Sequence, residues 1–402
     1  MADEGARREN MVASHLLKAV QQNEQLPFMK TKPFGSRSGE HVPAANIGAM
    51  RLPRDTDEAV ALIRHAIDSG MRYIDTSRGY SDSEWKIGLA LQDGYRDRVL
   101  LSTKWSPWIT AVQPGDDASS GCVRRRIEES MRRLRVDFLD FYQVWNIGTP
   151  DHYAQAVAKG GMVEGILKAR DEGLVRHLGL TSHDSPENLM RYIGEADWAE
   201  VILLTYNLLD TRYAPVLEAA HRKGIGTIVM NPVGGGRLAQ ESAVIQRLAG
   251  SVGAISGADL AIRYVRSNPS VDTLLCGMTR LSDVDDTLAS VGRGAFGPDA
   301  LAEIDRVISG IRLKAGAFCT SCRYCQPCPA GIDIPAIMNL LSDARHWGWE
   351  QESRRRYLAL NKPRAEACTR CGACEKKCTQ KLGIMAALRE AQALFEPAQA
   401  GT

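Results

Sequence analysis

Between residues 44 and 290, short apolar runs alternate eight times with segments of helical period. No other feature of the chain restricts its fold as tightly. The runs are "AANIGAM" (44–50), "RYIDT" (72–76), "RVLLST" (98–103), "DFLDFYQV" (137–144), "HLGLTS" (177–182), "EVILLTY" (200–206), "GTIVMN" (226–231) and "VDTLLCG" (271–277). Helical periodicity covers 56–69, 82–92, 121–135, 160–173, 185–195, 212–223, 256–267 and 281–290. Strands that alternate with helices must pair in parallel, because each crossover helix returns the chain to the same edge of the sheet. Eight such units in about 250 residues predict an α/β fold of the closed (β/α)8, or TIM, barrel type. An open doubly wound sheet is the alternative, weakened because no G-x-G-x-x-G follows the first strand. Before the barrel, "KPFGSRSGEHVPAANIGAM" reads as a hairpin, and residues 7–23 read as an amphipathic helix within an N-terminal extension, 1–29.

A chain of 402 residues is long enough for one large domain and something more. Its formal net charge of +2 gives no electrostatic case for nucleic acid or an anionic membrane. No apolar run is long enough to span a bilayer, and the N-terminal residues lack the apolar core of a secretory signal. A cytoplasmic location is therefore expected.

Eight of the ten cysteines fall into two groups of four: Cys319, Cys322, Cys325 and Cys328, then Cys368, Cys371, Cys374 and Cys378. A disulfide scaffold would spread them through a short secreted chain, so tight quartets in a long chain argue for metal. The second quartet is C-x2-C-x2-C-x3-C, the spacing of bacterial ferredoxins that bind cubane clusters. The first has a shorter last gap, followed by Pro329. Two 4Fe–4S clusters would use all eight thiolates. All-cysteine zinc sites are the alternative. In ferredoxins the last cysteine of each quartet commonly serves the other cluster. That habit groups Cys368, Cys371 and Cys374 with Cys328, and Cys319, Cys322 and Cys325 with Cys378. Residues 298–314 read as a helix leading into this region, the segment between the quartets as two helices, and 383–395 as a last one.

Active residues of a (β/α)8 barrel sit at the C-terminal ends of its strands. The second strand ends in Asp75, its loop carries Tyr80, and the third ends in Lys104. A free phenol, with a pKa of about 10, exchanges protons poorly at neutral pH. An ammonium beside it is expected to draw that value down, with a carboxylate holding the ammonium charged. A plain salt bridge beside a surface tyrosine is the other reading of the same spacing.

"MRYIDTSRGYSDSEWKIGLAL" followed by "VLLSTK" resembles the aldo-keto reductase superfamily, as do "NIGAMRLP", "LGLTS", "YNLLD" and "NPVGGGRL". The resemblance spans roughly 30–315. It implies NADPH-linked carbonyl reduction with Tyr80 as general acid, supported by Lys104 and Asp75. The superfamily's usual histidine at the end of the fourth strand is replaced by Trp145, whose indole N–H could still hold a carbonyl oxygen. His152 and His183 lie in neighbouring loops. For the nicotinamide, the resemblance points to Thr181 and Ser182. For the pyrophosphate it points to the loop of Asn231, Gly234, Gly235, Gly236 and Arg237. For the adenosine phosphate it points to the loop of Gly277, Thr279 and Arg280. The position of a usual glutamine on the sixth strand holds Leu203.

With its cysteine tail, taken as 316–396, the chain is similar to a subgroup of ferredoxin-tailed aldo-keto reductases. Three readings of function follow. In the first, clusters move electrons to or from the barrel, which suggests an electron-transfer protein as partner. In the second, the barrel reduces a small carbonyl substrate alone and the clusters are structural. In the third, a degenerate barrel carries a redox or oxygen sensor.

Overall fold

The computed structural model describes residues 30–109, 115–314, 319, 325–378 and 381–396. The expected N-terminal extension and its helix, and Cys322, lie outside the described residues.

Eight parallel strands close into a barrel. They are β3 (Ala45–Gly48), β4 (Tyr73–Asp75), β5 (Leu100–Trp105), β6 (Leu139–Ile147), β7 (Val175–Ser182), β8 (Val201–Thr205), β9 (Gly226–Met230) and β10 (Thr273–Cys276). Each falls on one of the eight apolar runs. β10 pairs with β3 and completes the ring. The hairpin is β1 (Thr31–Pro33) against β2 (His41–Pro43). Its Phe34 belongs to the apolar cluster of Tyr73, Leu100, Phe141, Val201, Leu203 and Ile228. The Phe34 ring meets Tyr73 edge-on at 5.5 Å and Phe141 at 5.4 Å. Gly226 makes room for it, because a Cβ there would come within 2.7 Å of the Phe34 ring. The hairpin thus helps fill the barrel interior rather than merely preceding it.

Strand alternation turns this packing into a site. Tyr73, Leu100 and Phe141 share the apolar floor. Two residues further along their strands stand Asp75, Ser102 and Gln143, which are mutually hydrogen-bonded. Lys104 and Trp145 follow after another two. The interior is therefore greasy below and polar toward the C-terminal ends of the strands.

The chain forms two compact units. One comprises the chain up to Gly234 together with Val265–Gly294, and it contains the whole barrel. The other joins Gly235–Tyr264 to the chain from Ala295 onward. The sequence-based boundary at 315/316 assigns Gly235–Tyr264 to the barrel, whereas in the structure it groups with the tail.

Long-range contacts within the second unit account for this. The Ser242 hydroxyl donates to the Trp347 carbonyl. The Arg237 guanidinium pairs with Asp343 and lies over the Trp349 ring, 4.7 Å from its centroid. The tail core follows helical spacing. Ile334, Ile337, Leu340, Leu341 and Ala344 of helix Ile334–Trp347 pack with Ile384, Leu388, Ala391 and Phe395 of helix Ile384–Phe395. Asp333 caps the first of these helices, and Gly348, at φ 71°, ends it. Among the described residues, three α-helices absent from the sequence reading are Pro150–Val157, Ala243–Ser251 and the short Ala373–Lys377. Among the described residues, no helix is long and apolar enough to cross a membrane.

Candidate active site and metal centre

Asp75 ends β4, and Lys104 stands one residue before the end of β5. The parallel pairing of these strands brings the two side chains together. Their charged groups form an ion pair with only 5% and 1% of the side chains exposed. The ammonium also donates to the Thr76 carbonyl at 2.8 Å. Asp75 accepts from Gln143 at 3.1 Å and from Ser102 at 3.3 Å. Gln143 and Ser102 were not singled out from the sequence, although both follow from the period-two alternation inside the barrel.

The Lys104 ammonium lies 4.9 Å from the Tyr80 ring centroid. Burial alone would lower the lysine pKa, but Asp75 and then Tyr80 outweigh it, so Lys104 holds its proton more tightly than usual. Burial raises the Asp75 carboxyl against the pull of Lys104. Tyr80 differs from the expectation of a lowered phenol. Burial pushes its pKa up, Lys104 pulls it back, Asp75 pushes it up again, and the result lies above the ordinary value. Desolvation wins because ionising this phenol would place a new charge beside a carboxylate in a poorly hydrated site. Tyr80 is thus a hydroxyl that keeps its proton at neutral pH, as a proton donor must.

Trp145 sits on a bulge. β6 gains one residue relative to β7 between Val144 and Ile147, and Asn146 adopts φ 53°. The bulge sets Trp145 edge-on to Tyr80, with ring centroids 5.6 Å apart. Trp108 donates its indole N–H to the Trp145 carbonyl at 2.8 Å, and its ring stacks on His152 at 4.5 Å. His183 is exposed.

Thr181 and Ser182 serve this same bulge. Thr181 Oγ1 accepts from the Asn146 amide at 2.7 Å, and Ser182 Oγ donates to the Ile147 carbonyl at 2.5 Å. Both are residues the resemblance assigns to nicotinamide, and here they pin the backbone that presents Trp145. Nearby, Gln143 Oε1, Ser106 Oγ and Asn146 Oδ1 are buried without a protein partner. Buried polar atoms normally find a partner, so these orphans at the ends of β5 and β6 suit a polar ligand.

The two expected phosphate loops already hold carboxylates. At the start of helix Leu281–Gly292, Asp283 accepts from the Thr279 amide at 2.9 Å and from its hydroxyl at 3.1 Å. It also accepts from the Arg280 amide at 3.0 Å and its guanidinium at 2.9 Å. Burial raises the Asp283 pKa, but these donors outweigh it and leave it below the usual range. Gly277 lies one residue beyond β10, and a Cβ there would meet nothing closer than 3.9 Å. Asn231 takes φ 60°, and its carbonyl accepts from Asn207 and Gly234. Gly234 has φ 60°. In the second unit Gly235 and Gly236 take φ 70° and 91°, values that glycine adopts without strain. The next residue, Arg237, is committed to Asp343.

The tail presents a second candidate centre. Cys325, Cys328, Cys368, Cys371 and Cys374 border a small cavity of about 20 Å³, with Ile334, Met385 and Leu388 among its apolar walls. Soft thiolates around an apolar chamber are the donor set an iron–sulfur cluster requires. Cys328, Cys368, Cys371 and Cys374, the set suggested by ferredoxin habit, all line this chamber. Of the other set, Cys319 and Cys378 are half-buried, and the Cys378 sulfur accepts from the Leu382 amide at 3.5 Å. Among the described residues, no three metal-ligating side chains converge as they would on a single ion.

Comparison with known proteins bears on both centres. The aldo/keto reductase family description matches residues 45–309, and a 4Fe-4S dicluster domain matches residues 318–382. An L-galactose dehydrogenase of Arabidopsis thaliana is 25% identical over 297 residues, covering 67% of this chain and 90% of that protein. A 6-dehydroglucose reductase of Novosphingobium aromaticivorans is 29% identical over 217 residues, covering 50% of this chain and 68% of that protein. Among solved structures, the holo form of an aldo-keto reductase from Bacillus halodurans superposes with a TM-score of 0.60 at 22% identity, covering 69% of this chain and 96% of that one. An aldo/keto reductase from Klebsiella pneumoniae, in complex with NADP and acetate, superposes with a TM-score of 0.58 at 25% identity over the same shares. With the barrel matched from its first strand onward and the cysteine tail matched separately, the chain belongs to the aldo/keto reductase family, as an oxidoreductase whose barrel is followed by a 4Fe–4S domain.

Proposed function

We propose that the barrel reduces the carbonyl group of a small molecule to an alcohol, with Tyr80 supplying the proton, and that the tail holds two 4Fe–4S clusters. The buried Asp75–Lys104–Tyr80 constellation carries this reading. When bound, reduced nicotinamide supplies a hydride to the carbonyl carbon, and the clusters supply or accept electrons singly. The chain's own residues do the rest. Tyr80 keeps its phenolic proton and gives it to the carbonyl oxygen as charge develops there. Lys104 stays charged and stabilises the tyrosinate left behind, while Asp75 holds Lys104 in place. Trp145 takes the position of a substrate-orienting donor, and Asn146 Oδ1 and Ser106 Oγ offer polar contacts to nicotinamide or substrate.

NADPH, the reduced form of the nucleotide in the Klebsiella pneumoniae complex, is the proposed cofactor. Its 2′-phosphate has to compete with Asp283 for Thr279 and Arg280, since like charges repel at that site. Asp283→Asn is expected to tighten NADPH by about tenfold, or ~1.4 kcal/mol, while leaving NADH within about twofold. Titration of both nucleotides against wild type and variant, followed by fluorescence, checks this. Equal effects on the two would remove Thr279 and Arg280 from the phosphate site.

For the tail, Cys374→Ser is expected to lower iron from about eight atoms per chain to about four. Undiminished iron would exclude Cys374 as a ligand.

One observation favours a second reading. Both arginines expected at the nucleotide phosphates are paired with carboxylates of the chain, Arg237 with Asp343 and Arg280 with Asp283. A sensor that binds no nucleotide would need neither arginine free. The same titration separates the readings, because a sensor would show no saturable binding of either nucleotide.

A further inference from the structure

Residues 362–381 carry six cations against two carboxylates, a net +4 within 20 residues of a chain whose total is +2. Both carboxylates are engaged: Glu366 lies 3.8 Å from Arg364, and Glu375 accepts the Met385 amide at 2.8 Å. Arg364 is spent on Glu396 at 2.9 Å. Five cations remain exposed, Lys362, Arg370, Lys376, Lys377 and Lys381, and none of them is in an ion pair among the described residues. Inside this stretch lies Cys371, which is exposed and also lines the thiol-walled cavity. It stands between Arg370 at φ 57° and Gly372 at φ 72°, a turn at the cavity's rim. An exposed edge of the cavity therefore lies within a strongly basic stretch of the tail.

We propose that this rim is the docking surface for an acidic one-electron carrier protein, which exchanges electrons with the cluster held by Cys368, Cys371, Cys374 and Cys328. The inference rests on the iron–sulfur reading of the tail. The chemistry balances: the carrier loses one electron and the cluster gains one, or the reverse, and no bond is made or broken. Opposite charge steers such encounters and orients them, and electron-transfer contacts are small and transient, so five exposed cations within ten residues of an exposed cluster ligand in the sequence are enough. A purely electrostatic role is the competing explanation. Cations near a cluster also shift its potential, without any partner.

The test uses the full chain with its iron loaded. Binding of an oxidised plant-type [2Fe–2S] ferredoxin, an acidic probe, is measured against ionic strength for wild type and for the double variant Lys376→Glu, Lys377→Glu. Cytochrome c serves as a basic probe and a short DNA duplex as a second polyanion. Iron content and midpoint potential are measured on the same samples. The expected result is saturable ferredoxin binding that weakens steeply with salt, is at least tenfold weaker in the variant, and exceeds binding of either control. A midpoint shift in the variant with unchanged ferredoxin binding would overturn the proposal in favour of potential tuning. DNA binding equal to that of ferredoxin would overturn it in favour of non-specific polyanion attraction. Absence of iron would instead refute the cluster reading on which the proposal stands.

Discussion

Tyr80→Phe is expected to slow carbonyl reduction by about 10²- to 10⁴-fold, the usual worth of a positioned general acid. The change removes one oxygen and keeps the ring. Phenylalanine retains the edge-on contact with Trp145 and the place beside the Lys104 ammonium, so the barrel should fold and bind nucleotide as before. A loss of kcat with unchanged nucleotide affinity distinguishes a lost proton donor from a damaged pocket. The pH profile adds a second check. The Tyr80 phenol sits above its ordinary value, with burial the largest cause and Lys104 opposing it. A donor works only while protonated. The reductive rate should therefore hold through neutral pH and fall as pH rises through the raised pKa. A rate that rises with pH across that range would assign the proton to another group.

Lys104→Met is expected to lower the stability of the barrel by about 3–5 kcal/mol, because it leaves the Asp75 charge buried and unpaired. Burial already holds the Asp75 carboxyl above its usual range, and losing the lysine removes the main force opposing that shift. A raised carboxyl pKa favours the folded state as pH falls. The variant should regain stability as pH drops from neutral through the folded pKa of Asp75. In wild type Lys104 acts in the same sense, over a more alkaline range. Its raised pKa contributes stability that is fully present below the unfolded value and lost as pH rises through the folded one. Adding Asp75→Asn to Lys104→Met should restore much of the loss, since the pair then has no charge to bury. Urea unfolding of the three variants, followed by tryptophan fluorescence, measures the coupling. Simple additivity of the two changes would contradict the buried pair. Both single variants should also lose activity: Lys104→Met removes the cation beside the tyrosinate formed in the reaction, and Asp75→Asn removes the carboxylate that holds that cation in place.

The barrel was legible because its signal is local and repeated. Each apolar run is a strand, and strand ends nominate Asp75 and Lys104 without any structure. The missing helices were less visible. Pro150–Val157 is short and follows directly on β6, yet its start is marked by Thr149, whose side chain caps it, and by Pro150 at the first helical position. The bulge at Asn146 had no such marker. A non-glycine residue in left-handed conformation and a one-residue register shift depend on how Thr181 and Ser182 grip the neighbouring strand.

Two other features depend on burial and distance, which sequence spacing does not convey. The ammonium beside Tyr80 suggested a lowered phenol pKa, but desolvation outweighs it. Arg237 resembled a free phosphate ligand, but its partner Asp343 lies 106 positions away. The cysteine quartets were readable as a centre, and the thiol-lined cavity gathers five of the eight.

Anaerobic mixing of the iron-loaded protein with C4-deuterated NADPH and a set of aldehydes and ketones tests the central claim most directly. Products are read by mass spectrometry and the clusters by their visible absorbance in the same reaction. The account predicts deuterium on the carbinol carbon of an alcohol, lost in Tyr80→Phe, with cluster absorbance steady until a reduced acidic carrier is added. Bleaching of the clusters by NADPH, with no deuterated alcohol formed, would contradict it, since the nucleotide would then be feeding iron rather than a carbonyl.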